Sequence, residues 1–225
     1  MRLYPVPYRT LDEDRQFVKY QWIEVEVFKT RNDSRPESYT PNLFSISLGE
    51  KLSTTSNWYD RRELINPLVR PSLCVIQKER DDNQFPTLGI FKPGSIDELV
   101  IEEAAPNWTD EQLAKLNQAL SLFDKKPETQ LEKLPFSFKY KFRCIHPTCR
   151  GHFLSCTDWE MGQSYRKWRR EYGAKWEAKF RQKYEKEMIE RFDTHFFVGN
   201  IHQYPNAWIV VGIFYPLLEP MKRLL

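Results

Sequence analysis

The sequence predicts an α+β fold: a mostly antiparallel sheet packed against helices, with a long basic helical region near the C-terminus. Three observations carry this expectation. Phe136 to Cys144 alternates apolar and polar residues with the two-residue period of a strand. Tyr165, Trp168, Tyr172, Trp176, Phe180, Tyr184 and Met188 recur every three or four residues, the period of a helix. Ala207–Leu218 is an apolar run of 12 residues containing Gly212 and Pro216. A spanning helix needs about 20 apolar residues, so this run reads as a buried strand and no membrane segment is expected.

The elements follow in chain order. The opening residues, Met1 to Pro7, contain no apolar stretch of the secretory-signal kind, so a cytoplasmic protein is expected. Val18–Lys29 reads as a strand with Ile23, Val25 and Val27 on one face and Glu24 and Glu26 on the other. Thr30–Asn42 is a polar loop, and Leu43–Leu48 a short strand ended by Gly49. Ser56 is the expected cap of a helix beginning near Trp58, broken or kinked by Pro67 and Pro71. Leu88–Lys92 and Glu98–Glu102 read as strands around a turn at Pro93-Gly94. Thr109 caps a helix with Leu113, Leu116, Leu120 and Phe123 at helical spacing.

Lys126–Leu134 is a polar connection that divides the chain into residues 1–134 and 135–225, as two parts or as one continuous domain. Beyond it, Phe136, Phe138, Tyr140, Phe142 and Cys144 share one strand face; Ser137, Lys139, Lys141 and Arg143 share the other. A loop leads to a helical region from Asp158 to about Phe192, interrupted near Gly173. The strands His195–Gly199 and Trp208–Tyr215 close the fold.

Net charge is only +3, yet it is unevenly spread. Residues 1–134 hold 18 basic and 22 acidic side chains; residues 135–191 hold 14 and 7. A basic segment hidden inside a near-neutral total points to an anionic partner. Between Arg166 and Lys186 there are nine basic residues and three glutamates. We therefore expect nucleic-acid binding, with RNA or another single strand favoured, through Lys139, Lys141, Arg143, Arg166, Lys167, Arg169 and Arg170. Trp168 or Tyr172 would stack on a base where a ring is exposed, although a long amphipathic helix buries most of such a stripe. Salt pairing of Lys139 and Lys141 with Glu24 and Glu26 on an adjacent strand is the competing use of those lysines.

The densest chemical pattern is Cys144-x4-Cys149-x2-His152-x3-Cys156. Zinc takes thiolate and imidazole ligands in a tetrahedron, and short spacings let one loop supply several of them. Cys144, Cys149, His152 and Cys156 are the expected ligands of a structural Zn2+, with His146 an alternative to Cys156. In ligand types the run resembles a zinc knuckle. Its spacing departs from that family's C-x2-C-x4-H-x4-C, so no nucleic-acid role is carried over from the resemblance.

Asp158 and Glu160 stand at the start of the basic helical region, where carboxylates favour the positive end of the helix dipole. The catalytic alternative joins them to His152 or His202 around Mg2+ or Mn2+ as a nuclease or related phosphodiesterase. A third alternative is an interaction subunit that docks on a protein partner or a second copy. The sequence has no G-x-x-x-x-G-K-[ST], G-x-G-x-x-G or G-x-S-x-G run, and Cys74 has no histidine near it in sequence.

Overall fold

The computed structural model describes residues 1–114 and 132–219. Its short N-terminal strands are β1 (Arg2–Leu3), β2 (Gln21–Glu24), β3 (Val27–Lys29), β4 (Ser38–Pro41) and β5 (Ser47–Lys51). They form a three-stranded sheet in the order β1-β4-β3 and a two-stranded β2-β5 ribbon. Burial alternates from Gln21 to Phe28 as the strand period requires, with Ile23, Val25 and Val27 turned inward. Three expectations fail here. Val18–Lys29 is not one strand, since β2 pairs with β5 and β3 with β4 in separate sheets. The polar loop contains β4, and Leu43–Ser45 is a single 3-10 turn, with the strand displaced to Ser47–Lys51 and Gly49 inside it. Asn42 causes the shift: its side chain accepts from Phe44 N and starts the turn.

The helix α1 (Thr55–Ile65) ends before Pro67, as expected. Ser56 is no cap, however. Ser56, Asn57 and Trp58 adopt left-handed backbone angles, φ 49°, 54° and 62°. Asn57 clamps this turn to the far end of the chain, accepting from Leu217 N at 2.7 Å and donating to Leu217 O at 3.0 Å.

The centre of the molecule is a seven-stranded sheet in the order β6-β7-β11-β12-β10-β9-β8. Its strands are β6 (Val69–Arg70), β7 (Leu88–Phe91), β8 (Ser95–Glu103), β9 (Phe136–Arg143), β10 (His152–Cys156), β11 (His195–Asn200) and β12 (Trp208–Phe214). Only the β6–β7 and β10–β12 pairs are parallel. The turn at Pro93-Gly94 separates β7 from β8 without pairing them; β8 crosses to the far edge of the sheet. There it pairs with β9 from Ser95 opposite Arg143 to Glu103 opposite Phe136, so the sequences before and after residue 134 share one sheet. The apolar run near the C-terminus supplies β12, in the middle of the sheet. Among the described residues no helix is long and apolar enough to cross a membrane.

Helices cover the inward face of β9. They are α2 (Leu73–Asn83), α3 (Trp159–Tyr172), α4 (Trp176–Arg181) and α5 (Met188–Glu190), with a π-helical turn at Gln182–Glu187. Gly173, at φ 54°, ends α3 where the interruption was expected. Thr109 makes the expected capping box, its Oγ1 accepting from Gln112 N while its own N–H donates to Gln112 Oε1. Leu116, Leu120 and Phe123 lie outside the described residues.

The aromatic stripe is core. Phe180 stacks on Phe138 with ring centroids 4.5 Å apart, Trp176 tilts against Phe136 at 5.0 Å, and Tyr140 Oη donates to Tyr184 O at 2.6 Å. Trp168 is also buried, against Phe180 and Tyr184, so it has no ring face to offer a base. Tyr172 is the exposed member.

On the outward face of β9, Lys139 pairs with Glu102, Lys141 with Glu98 and Arg143 with Asp97. The lysines thus serve a charge ladder, and their partners are on β8 instead of Glu24 and Glu26.

Phe180→Ala is expected to lower unfolding stability by about 3–5 kcal/mol in a denaturant titration, against less than about 0.5 kcal/mol for Tyr172→Ala. Lys139→Glu with Lys141→Glu places like charges across the β8–β9 ladder and should cost about 0.2–1 kcal/mol per pair, read in the same titration.

Candidate metal centre

Local chain chemistry brings four donors together. Ser72 caps α2, its Oγ accepting from Val75 N at 3.1 Å, and this sets Cys74 in the first turn of the helix. Cys144 follows the last residue of β9, and His152 begins β10 directly opposite Phe142. The residues between them form the β9–β10 loop, where Cys149 N donates to His146 O at 3.0 Å. Gly151 completes the loop at φ 94°, a backbone angle that side-chain-bearing residues rarely take. That angle accompanies the donation of Gly151 N–H to Cys149 Sγ at 3.4 Å, and Cys144 N–H donates to the same sulfur at 3.3 Å.

The donor atoms of Cys74, Cys144, Cys149 and His152 all lie within 4.8 Å of one another. His152 Nε2 is 3.3 Å from Cys74 Sγ and 3.4 Å from Cys144 Sγ. A zinc tetrahedron with ordinary bond lengths requires S···N of about 3.5 Å and S···S of about 3.8 Å. The two measured S···N distances match that shell, and every donor pair lies within about 1 Å of its dimensions.

Its electrostatics suit a cation. Burial lowers the His152 pKa, which keeps the imidazole neutral and its lone pair available at pH 7. Burial and the neighbouring Cys144 thiol push Cys74 up to about 12, and burial raises Cys144 as well. Cys149 differs. Burial works against its thiolate, but the backbone N–H donors of Cys144 and Gly151 outweigh that cost and its pKa falls. Without a cation, burial favours the protonated thiols of Cys74 and Cys144; a coordinated metal removes such protons outright.

Three expected ligands are in this group, and Cys156 is not. Cys156 is four residues along β10 from His152, about 13 Å of extended chain. It is buried, with Sγ 3.4 Å from Met161 Sδ. Cys74 takes the fourth corner. Its helix went unread in the sequence, although Pro71-Ser72 ahead of an apolar–polar run is a start signal. Sequence distance hid its relation to the loop. His146 is exposed beside Thr148 and takes no part.

The carboxylates of the catalytic alternative have structural partners. Asp158 Oδ1 accepts from Glu160 N and Met161 N, and Oδ2 from Ile213 N at 2.9 Å and Lys19 Nζ at 3.4 Å. It caps α3 and fastens it to β12. Glu160 accepts from Tyr215 Oη at 2.9 Å and pairs with Lys19. His202 is elsewhere, 3.2 Å from Asp33 Oδ1. Among the described residues, the Cys74, Cys144, Cys149 and His152 group is the one cluster of such donors with metal-site dimensions.

The remaining expected contacts lie on the helices. Arg166 pairs with Glu132 and Lys167 with Glu171. Arg169 and Arg170 are exposed on α3.

Residues 1–67 match the family model described as Domain of unknown function (DUF8758), and residues 69–224 match that described as Domain of unknown function (DUF8757). The two meet where the chain passes from α1 to β6, at the entrance to the seven-stranded sheet. No curated protein and no solved structure matches the chain. All four donors of the cluster fall in the second match, which spans most of the chain: the protein belongs to the family described as Domain of unknown function (DUF8757).

Proposed function

We propose that the protein binds one structural Zn2+ through Cys74, Cys144, Cys149 and His152. The observation that carries this reading is the convergence of three sulfurs and one imidazole nitrogen within 4.8 Å. Three soft thiolates and a neutral imidazole select zinc over hard oxygen-seeking cations. Four protein ligands close the tetrahedron, leaving no position for a catalytic water. The ion would clamp the first turn of α2 onto the β9–β10 loop, joining segments about 70 residues apart in sequence. Thiolate ligands of this kind belong in a reducing compartment, which favours the cytoplasm.

Purified protein is expected to carry one zinc per chain by elemental analysis and to melt at a markedly lower temperature after chelation. Cys74→Ser should lose the metal, while Cys156→Ser should retain it. A substoichiometric metal content with melting unchanged by chelator would be incompatible with this role.

A second reading, nucleic-acid binding, draws on the outer helical face. Of the exposed residues between Trp159 and Arg191, seven are basic and three acidic. Arg169, Arg170, Lys175, Lys179 and Lys186 have no acidic partner among the described residues, unlike Lys139, Lys141 and Arg143. The contact surface in this reading is the outward side of α3 and α4 with the π-turn, and the β9 lysines contribute little. With three to five phosphates contacted, the affinity for a fluorescent single-stranded RNA should fall about 20- to 130-fold between 50 and 200 mM salt. Lys175→Glu with Lys179→Glu and Lys186→Glu should abolish the anisotropy change, and salt-independent binding would exclude the reading.

A further inference from the structure

We infer that the outward face of β2–β3 docks an extended basic segment of a partner protein. The alternation that leaves Ile23, Val25 and Val27 half-buried turns Trp22, Glu24, Glu26 and Phe28 to solvent. Trp22 is 54% exposed and Phe28 61%, and about 20 Å of extended chain separates them, from β2 in the ribbon to β3 in the three-stranded sheet. Aromatic residues are enriched at the cores of contact surfaces. Across the ribbon from Trp22 is Gly49; even a methyl group there would approach Trp22 Cβ to 3.0 Å. The strand beside the indole thus carries no side chain to cover it.

The carboxylates between the rings define the partner. Neither Glu24 nor Glu26 has a cationic partner among the described residues; Glu26 accepts only a neutral hydrogen bond, from Asn42 Nδ2 at 2.8 Å. The chain neutralises a comparable row elsewhere, since Asp97, Glu98 and Glu102 of β8 each hold a cation. Nearby Lys29 is turned away, its Nζ donating to Arg35 O and Pro36 O. The order aromatic, carboxylate, carboxylate, aromatic at two-residue spacing complements an extended segment with two lysines or arginines at the same spacing and apolar residues outside them. Its cations would meet Glu24 and Glu26, and its flanks would cover Trp22 and Phe28.

The test uses the full chain and a fluorescein-labelled heptapeptide with leucine at both ends, lysine at the third and fifth positions and serine elsewhere. A control peptide carries glutamate in place of lysine. Saturable binding with Kd below about 1 mM at low ionic strength is expected for the lysine peptide alone. Glu24→Lys with Glu26→Lys, and separately Trp22→Ala, should each weaken it at least about tenfold. Glu24→Gln with Glu26→Gln should do likewise, and keeps the side-chain shape should the reversal disturb folding. Absence of saturation, equal binding of the control, or unchanged affinity in the variants overturns the inference. So does a dimer in sedimentation that dissociates on Trp22→Ala, which would identify a second copy as the occupant.

Discussion

The packing of Phe138 on Phe180, with Tyr140 bonded to the Tyr184 carbonyl, fixes the register on which the rest depends. A strand has two faces, and a slip of one residue would exchange them. With Phe138, Tyr140 and Phe142 committed to the core, Lys139, Lys141 and Arg143 must face outward. The same parity carries into the loop. Cys144 continues the inward row, and His152 opposite Phe142 returns to it, its ring stacked on Phe142 at 5.1 Å. Hydrophobic register therefore decides where the Cys144 thiol and the His152 imidazole point. The convergence of donors is in this respect a consequence of core packing.

This explains which parts were legible in the sequence. Features written in adjacent residues were readable: the β9 alternation, the stripe from Tyr165 to Met188, the Thr109 cap and the final apolar strand. Three of the four donors were likewise found, because they share one loop. Cys74 was not, since what joins it to that loop is the packing of α2, and sequence spacing contains no trace of that contact. Cys156 misled for the opposite reason. It is close in sequence, but a five-residue strand carries it away from His152. Spacing identifies ligands within a turn and fails once extended backbone intervenes.

Charge follows the same division. The basic surplus of residues 135–191 looked like a single surface, but β9 spends its share on β8 in pairs at 2.6, 2.6 and 3.2 Å. Such exposed pairs stabilise little individually. They do align two strands and remove three cations from any phosphate-binding surface. Segment charge counts residues without regard to their neighbours across a sheet, so it overstates the free charge.

The sheet edges account for further polar residues. An exposed edge strand invites pairing with another chain, and proteins protect such edges. At one edge β6 is only two residues long. At the other, β8 is nine residues long, and the buried Leu99 has no strand beyond it to pair with. Glu185 accepts from Leu99 N at 3.0 Å, and Arg181 donates to Leu99 O at 2.7 Å. The two side chains bond each other at 3.1 Å, so they meet the strand as a neutral pair imitating a neighbouring backbone. Arg181 thus has a use within the fold, whereas Lys175, Lys179 and Lys186, on the same helical segment, have no such use among the described residues. A cation assigned to an edge or a ladder is accounted for by folding. Those left over are where a search for an anionic partner should begin.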